Sequence, residues 1–238
     1  DTLGLYLSGH PIDEFLPELS HITKDRLSNL RPERGAQVVA GLLHGFRTMK
    51  NKTGDTIAFL TLDDRSARFE VSLFAKEYEK YRELIQKDLI LIVECTITVD
   101  DYTGRVRGRA KQIMTLGQAR KRFAHRLALS LKSEGLETGF CEHLASILAP
   151  YKKSSVEQET STAIKSFPGP SETLEGEQNL AQEGCSVVVN YQRPGSRGCI
   201  MLGHDWIILP TDDLLQLLRM EYGKDQVELD YKQTTSLN

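Results

Sequence analysis

The order of β-leaning segments between residues 35 and 116 constrains this chain most. "GAQVVAGLLHGFRTM" (35–49) is a long β-leaning run with Gly41 and Gly45 inside it, where strands bend or bulge. "NKTGD" (51–55) is turn chemistry, and "TIAFLTL" and "RFEVSLF" follow as two strands joined by "DDRSA". "AKEYEKYRELIQKD" (75–88) has helical composition, with Tyr78, Tyr81, Leu84 and Ile85 on one stripe. "LILIVECTITV" and "VRGRAKQIMTL" read as two further strands around the turn "DDYTG".

Three strands, a helix and two more strands are the order of the OB-fold, a five-stranded barrel whose sheet face and loops hold single-stranded nucleic acid. A first strand with internal glycines suits one that must curl to serve both sides of a barrel. The OB-fold domain is therefore expected over 36–117. Residues 1–35 form an apolar-rich lead-in broken by Pro11 and Pro17. The chain starts without an initiator Met or a signal-peptide pattern and reads as a piece of a longer protein.

Residues 118–238 read as a second, small α+β domain. "QARKRFAHR" is basic, "LALSL" is a short strand, and "FCEHLASILAPY" (140–151) is helical until Pro150. From 152 to 184 Ser, Thr, Glu, Gln, Gly and Pro dominate, a composition that cannot bury enough apolar surface to offset its ordering entropy. A disordered insertion is expected there. "CSVVVNYQ", "RGCIMLG" and "DWIILP" read as three strands. Thr211 then caps the helix "DDLLQLLRMEYG", with acids in its first turn and Gly223 at its end, before a last strand, "QVELDY". The expected class is mainly β with α+β: a five-stranded OB-fold barrel followed by a small α+β domain.

The acids and histidines offer no catalytic constellation. Asp63 and Asp64 sit in a tight connection between strands, where Asp is favoured because its side chain bonds nearby backbone N–H groups. Asp100 and Asp101 precede another turn in the same way. Cys141 and His143 share a helix, but residues two apart point about 200° apart and do not chelate together. No H-E-x-x-H, P-loop or G-x-S-x-G pattern occurs. No catalytic residue, metal ligand or cofactor is assigned. The four cysteines form no CxxC pair and suit reduced, buried or half-buried thiols in a cytoplasmic protein. No apolar run approaches the roughly 20 residues of a membrane span.

With a formal net charge of −3, any nucleic-acid site must be a local basic patch. Arg47, Lys50 and Lys52 crowd the loop between the first two barrel strands. Arg105, Arg107 and Arg109 alternate at the start of the fifth, and so share a face. Basic loops with aromatic platforms are what non-specific single-strand binding needs. On the third strand Phe69, Val71 and Leu73 face one way and Phe74 the other. The residues alone fit a solvated charged barrel edge as well as a binding surface. Along "QVELDY", Val227, Leu229 and Tyr231 alternate with Gln226, Glu228 and Asp230, giving one apolar face that either completes the domain's own core or meets a partner.

"LGLYLSGHPI", "TLDDRSARFEVSLF", "LILIV" and the terminal "QVELDY" together resemble the C-terminal part of the bacterial replicative DNA polymerase III alpha subunit. The resemblance spans nearly the whole chain except 152–184. It implies an OB domain that contacts single-stranded template DNA and a following domain that binds the tau subunit of the clamp loader. Arg47 and Lys52 match basic positions of that family's first barrel loop. Thr53 and Thr56 stand where some relatives carry Arg, and Lys50 adds a charge those relatives lack. Gln226, Val227, Glu228, Leu229, Asp230 and Tyr231 match a segment linked to tau or sliding-clamp contact, with Tyr231 in place of the more usual Phe. The family's catalytic aspartates would lie upstream, so the fragment itself is expected to be non-catalytic. An OB module of an aminoacyl-tRNA synthetase or helicase-like enzyme is the alternative, and a purely structural adaptor a third.

Overall fold

A computed structural model, describing residues 10–100, 103–132, 138–153 and 183–231, divides the chain into two units between Ala119 and Arg120. In the first, five strands close into a barrel in the order β1-β2-β3-β5-β4: β1 (Gln37–Lys50), β2 (Thr56–Asp63), β3 (Arg68–Leu73), β4 (Ile90–Val99) and β5 (Val106–Thr115). The OB-fold topology read from the sequence is the observed one.

Closure depends on β1. Its first part, Gln37–Leu42, pairs with β4, and from Leu42 to Lys50 it pairs with β2, with a register shift between Leu43 and Gly45. Gly41 permits the bend: a Cβ there would lie 3.0 Å from the Leu62 Cβ and 3.1 Å from the Asp63 nitrogen. The last seam is a short parallel pairing of β3 with β5, Val71 to Gly108 and Ser72 to Arg109. A side chain at Gly108 would meet the Phe69 ring at 2.9 Å. Strand alternation then sends Leu60, Leu62, Phe69, Val71 and Leu73 into a core they share with Leu91, Val93 and Ile113. Each such burial is worth about 1.5–3 kcal/mol before ordering costs.

The helix expected over 75–88 is shorter. α2 runs Ala75–Tyr81, after α1 (Leu16–Ile22) in the lead-in, and passes into a 3-10 turn at Arg82–Leu84. The tighter turn ends the helix while leaving both Tyr81 and Ile85 in the barrel core. Pro17 does not break the lead-in. It lies in the first turn of α1, where its missing N–H costs nothing. Residues 1–9, which carry most of the leader motif, lie outside the described residues.

The division between the units falls within α3 (Leu116–Phe123), a helix where the sequence showed only basic composition. The second unit is a four-stranded mixed sheet ordered β8-β7-β6-β9: β6 (Ala124–Lys132), β7 (Ser186–Arg193), β8 (Ser196–Met201) and β9 (Val227–Tyr231). β6 and β7 are parallel and the other pairs antiparallel. α4 (Phe140–Leu148) and α5 (Asp212–Tyr222) pack Leu144, Leu148, Leu214 and Leu218 against Leu127, Leu129 and Val187. Thr211 caps α5, its Oγ1 accepting from the Leu214 N–H, and Gly223 ends it at φ 98°. Buried Arg120 pairs with Asp212 in the first turn of α5.

"DWIILP" is not a strand. His204–Trp206 is a 3-10 turn, and only Ile208 pairs, in isolated bridges to Lys152 on one side and Cys185 on the other. Pro210 has no N–H to extend a ladder and holds Leu209 away from helix, so the segment stops at a single rung. Of the expected insertion, 154–182 lies outside the described residues; its flanks are placed, with the Gly184 N–H donating to the Lys121 carbonyl at 3.0 Å. Among the described residues no helix is long and apolar enough to cross a membrane.

Candidate nucleic-acid interface

Cross-strand register places Arg47, Phe59, Ser72 and Arg109 side by side on β1, β2, β3 and β5, on the outward face of the barrel. Glu70 is two residues from Ser72 and Arg107 two from Arg109, so both point outward as well. The Arg47 guanidinium stacks over Phe59 at 4.1 Å, and that of Arg109 over Phe74 at 4.3 Å. Each stack is worth about 0.5–1 kcal/mol when exposed.

Acids tie the arginines down. Arg47 Nη2 lies 3.2 Å from Glu70 Oε2, and Arg107 Nε lies 3.5 Å from Glu70 Oε1. Arg107 Nη1 also meets Asp100 Oδ2 at 2.9 Å. Glu70 Oε1 is buried and has no hydrogen-bond donor, so its carboxylate is under-satisfied between two cations.

The expected residues thus separate into two groups. Arg47, Arg107, Arg109 and Phe74 are gathered on one face. Arg105 precedes β5 and is exposed, while Lys50 ends β1 and Lys52 stands in the loop, both exposed and without ion pairs among the described residues. That loop is self-tied: Asn51 Oδ1 accepts from the Thr53 and Asp55 N–H groups at 3.0 and 2.8 Å. Hydrogen bonds from Thr53 and Asn51 hold the Asp55 carboxyl below its ordinary range, in the same loop as Lys52.

Sequence reasoning missed Phe59 and Glu70. With Leu60 and Leu62 inward, the alternation of "TIAFLTL" already sends Phe59 outward, and "RFEVSL" does the same for Glu70. Met49, two residues from Arg47 on the same face of β1, is 48% exposed and adds apolar surface there, while the equally exposed Phe46 alternates to the other side.

Asp63 and Asp64 shape the β2–β3 connection. Asp63 Oδ1 accepts from the Arg65 N–H at 2.8 Å, and its Oδ2 from Arg68 Nε at 3.0 Å. Asp64, only 3% exposed, accepts from Arg26 Nε at 2.8 Å, the Leu27 N–H at 3.0 Å and the Ser66 hydroxyl at 2.6 Å. Burial works to raise its pKa, but the donors from Ser66, Leu27, Arg26 and Ala67 outweigh it and hold the carboxyl below the usual range. Asp64 therefore clasps the lead-in to the barrel as well as turning the chain. Among the described residues no group of His, Cys, Asp and Glu is placed to hold a metal ion.

In the second unit Val227 is buried, and Leu229 and Tyr231 are half-buried against the core. Gln226 belongs to a 3-10 turn before β9, Glu228 is exposed, and Asp230 is bound to Arg126 Nε at 2.7 Å. Two of the cysteines depart from expectation. Cys95 and Cys185 are buried, and burial pushes both thiols up to about 12, whereas Cys141 and Cys199 are exposed.

Residues 37–116 match the family described as OB-fold nucleic acid binding domain, which defines the class of the first unit. Residues 179–223 match the family described as DNA polymerase III subunit alpha, C-terminal domain. The DNA polymerase III alpha subunit of Vibrio cholerae serotype O1 is 37% identical over 233 residues, which is 97% of this chain and 18% of that protein. The alpha subunit of Escherichia coli K12 is 34% identical over 234 residues, again 97% of this chain and 18% of the relative. Nearly the whole chain matches the C-terminal OB-fold and C-terminal-domain region of DNA polymerase III alpha subunits. It spans less than a fifth of the length of these relatives. The mitochondrial single-stranded DNA-binding protein Rim1 of S. cerevisiae superposes with a TM-score of 0.31 at 13% identity, over 35% of this chain and 97% of that one. Similarity at that level adds nothing to the barrel topology.

Proposed function

We propose that this region is a non-catalytic part of a replicative DNA polymerase, whose barrel holds single-stranded template DNA on its outward face and whose second unit docks the tau subunit of the clamp loader. The observation that carries the DNA reading is the row Arg47–Phe59–Ser72–Arg109, which sets two guanidinium groups and an aromatic ring across four adjacent strands. Arginine planes and aromatic rings both stack on bases, and every base has a π-face, so such a row tracks a strand with little sequence preference. Lys50, Lys52 and Arg105 add phosphate contacts beside it.

The tau reading, with the sliding clamp as a further partner, is supported by the similarity to the C-terminal region of alpha subunits and by the terminal motif at Gln226, Glu228, Leu229, Asp230 and Tyr231. The apolar members of that motif support their own core, which leaves Glu228 and the strand edge for a partner. Binding of a fluorescent oligothymidine and of a duplex, titrated with salt, tests the DNA reading. Affinity for the single strand should fall with salt as counterions are released, and equal or tighter binding of the duplex overturns the reading. Co-migration of the chain with purified tau in gel filtration tests the second part.

A further inference from the structure

The second sheet turns an unassigned surface outward. Its register puts Lys132, Gln192 and Arg197 in one row across β6, β7 and β8, and Ser130, Asn190 and Cys199 in the next. These side chains line a cleft of about 470 Å³ that holds two cations and no carboxylate. Neither Lys132 nor Arg197 has an ionic partner among the described residues. β8 is the end strand of the sheet, and all six of its residues are exposed. Ile200 is 57% and Met201 65% exposed, although their cross-strand partners Val189 and Val188 are buried.

An end strand presents a row of backbone N–H and C=O groups that a further strand can pair with. We propose that β8 accepts an extended acidic peptide segment of a partner protein as an added strand. Its carboxylates meet Arg197, with Lys132 two strands further in adding to the positive field on that face, and its apolar side chains on the opposite face cover Ile200. Strand addition of this kind draws affinity from main-chain hydrogen bonds and specificity from alternate side chains. A nucleic-acid strand has no peptide groups to continue the ladder and leaves Ile200 uncovered. The inference deepens the reading of the second unit as a docking unit and rests on it for the identity of the partner.

The test uses the whole chain and a ten-residue peptide of alternating Glu and Val, with a Lys–Val peptide as the charge-reversed control. Cys199 lies in the cleft and is exposed, so its alkylation by iodoacetamide reports occupancy, while exposed Cys141 on α4 is the internal reference. The Glu–Val peptide should bind about ten-fold tighter than the Lys–Val peptide and slow alkylation of Cys199 but not of Cys141. Arg197→Glu with Lys132→Glu should invert that preference, and Ile200→Asp should weaken both peptides with an unchanged melting temperature. Equal binding of the two peptides, or no protection of Cys199, overturns the proposal. So does concentration-dependent dimerisation that Ile200→Asp abolishes, because the occupant is then a second copy of the chain. If tau binds the parent and the β8 variants alike, the β8 site fails while the docking reading stands. If tau does not bind but the peptide protects Cys199, the site stands and the tau reading falls.

Discussion

On the barrel, Arg47 lies over Phe59 and reaches Glu70, and Arg107 is held by Glu70 and Asp100. On the second sheet, Lys132 and Arg197 face outward with no ionic partner among the described residues. The difference follows from topology. A closed barrel has no free strand edge, so a ligand must approach its face or its loops, where the strand row fixes the arginines in advance. An open sheet ends in edge strands, and β8, paired with β7 on one side, has no strand on its other edge among the described residues and exposes all six of its residues. Preordered cations suit a stacked strand of bases; unpaired cations beside a free edge suit an incoming peptide.

The largest expected effect breaks the comparison on the barrel side. Asp64→Ala removes a buried carboxylate and strands Arg26 and the N–H groups of Leu27, Ser66 and Ala67. The barrel should lose about 3 kcal/mol, since removing one partner of a buried, hydrogen-bonded charge leaves the others unsatisfied. Urea unfolding, followed by probes placed in each unit, should show the loss in the first unit. The sign with pH is set by the lowered pKa of Asp64. Its contribution is full above the unfolded carboxylate value of about 3.9 and disappears as pH falls through the lower folded value, so the gap between variant and parent should close only in strong acid.

The matching change in the second unit is smaller. Leu229 is half-buried against the sheet core, so Leu229→Ala should cost about 1–2 kcal/mol, below the range for a fully buried leucine. The loss should appear in the second unit's transition and leave oligonucleotide affinity unchanged. A drop in DNA binding would show that the two units do not act separately.

Next comes the face itself. Arg47→Ser with Arg109→Ser removes both stacked guanidinium groups and should weaken oligothymidine binding about ten-fold at low salt while flattening the salt slope by one to two. Both side chains are exposed, so thermal stability should change little. Unaltered binding in the folded double variant would take the site off this face.

Much of this was legible in the sequence where a regular period met a turn. The strand order, the bend at Gly41, the Thr211 cap and the Gly223 stop each rest on local chemistry that needs no tertiary information. The misreadings share a cause. α3 carries a basic run in which Arg120 is buried and pairs with Asp212, 92 positions away in sequence, and no local pattern announces that partner. "DWIILP" has strand composition, but Ile208 finds only one rung on each side. At the candidate site, counting cations found the arginines. It did not show that Glu70 and Asp100 already engage them, because those ion pairs depend on how β3 is set across β2 from β1 and beside β5, and on the β4–β5 pairing.

Glu70 gives the smallest expected effect and the sharpest comparison. It sits between Arg47 and Arg107, with Oε1 buried and lacking a hydrogen-bond donor, so its negative charge competes with any phosphate approaching the two guanidinium groups. Glu70→Gln keeps the shape and removes the charge. Arg107 keeps Asp100 as a partner and Arg47 keeps its stack on Phe59, so the cations should remain in place. Oligothymidine affinity should then rise about three-fold at low salt, with a steeper salt slope because more cation charge is free to displace counterions. The same oligothymidine titration at low and at high salt reads both quantities. If affinity falls, Glu70 serves to position the arginines rather than to restrain them, and the barrel face relies on preorganisation more than on net charge. No change at either salt would mean that the bound strand does not cross β3, which would move the DNA path from the arginine row to the exposed lysines at the end of β1.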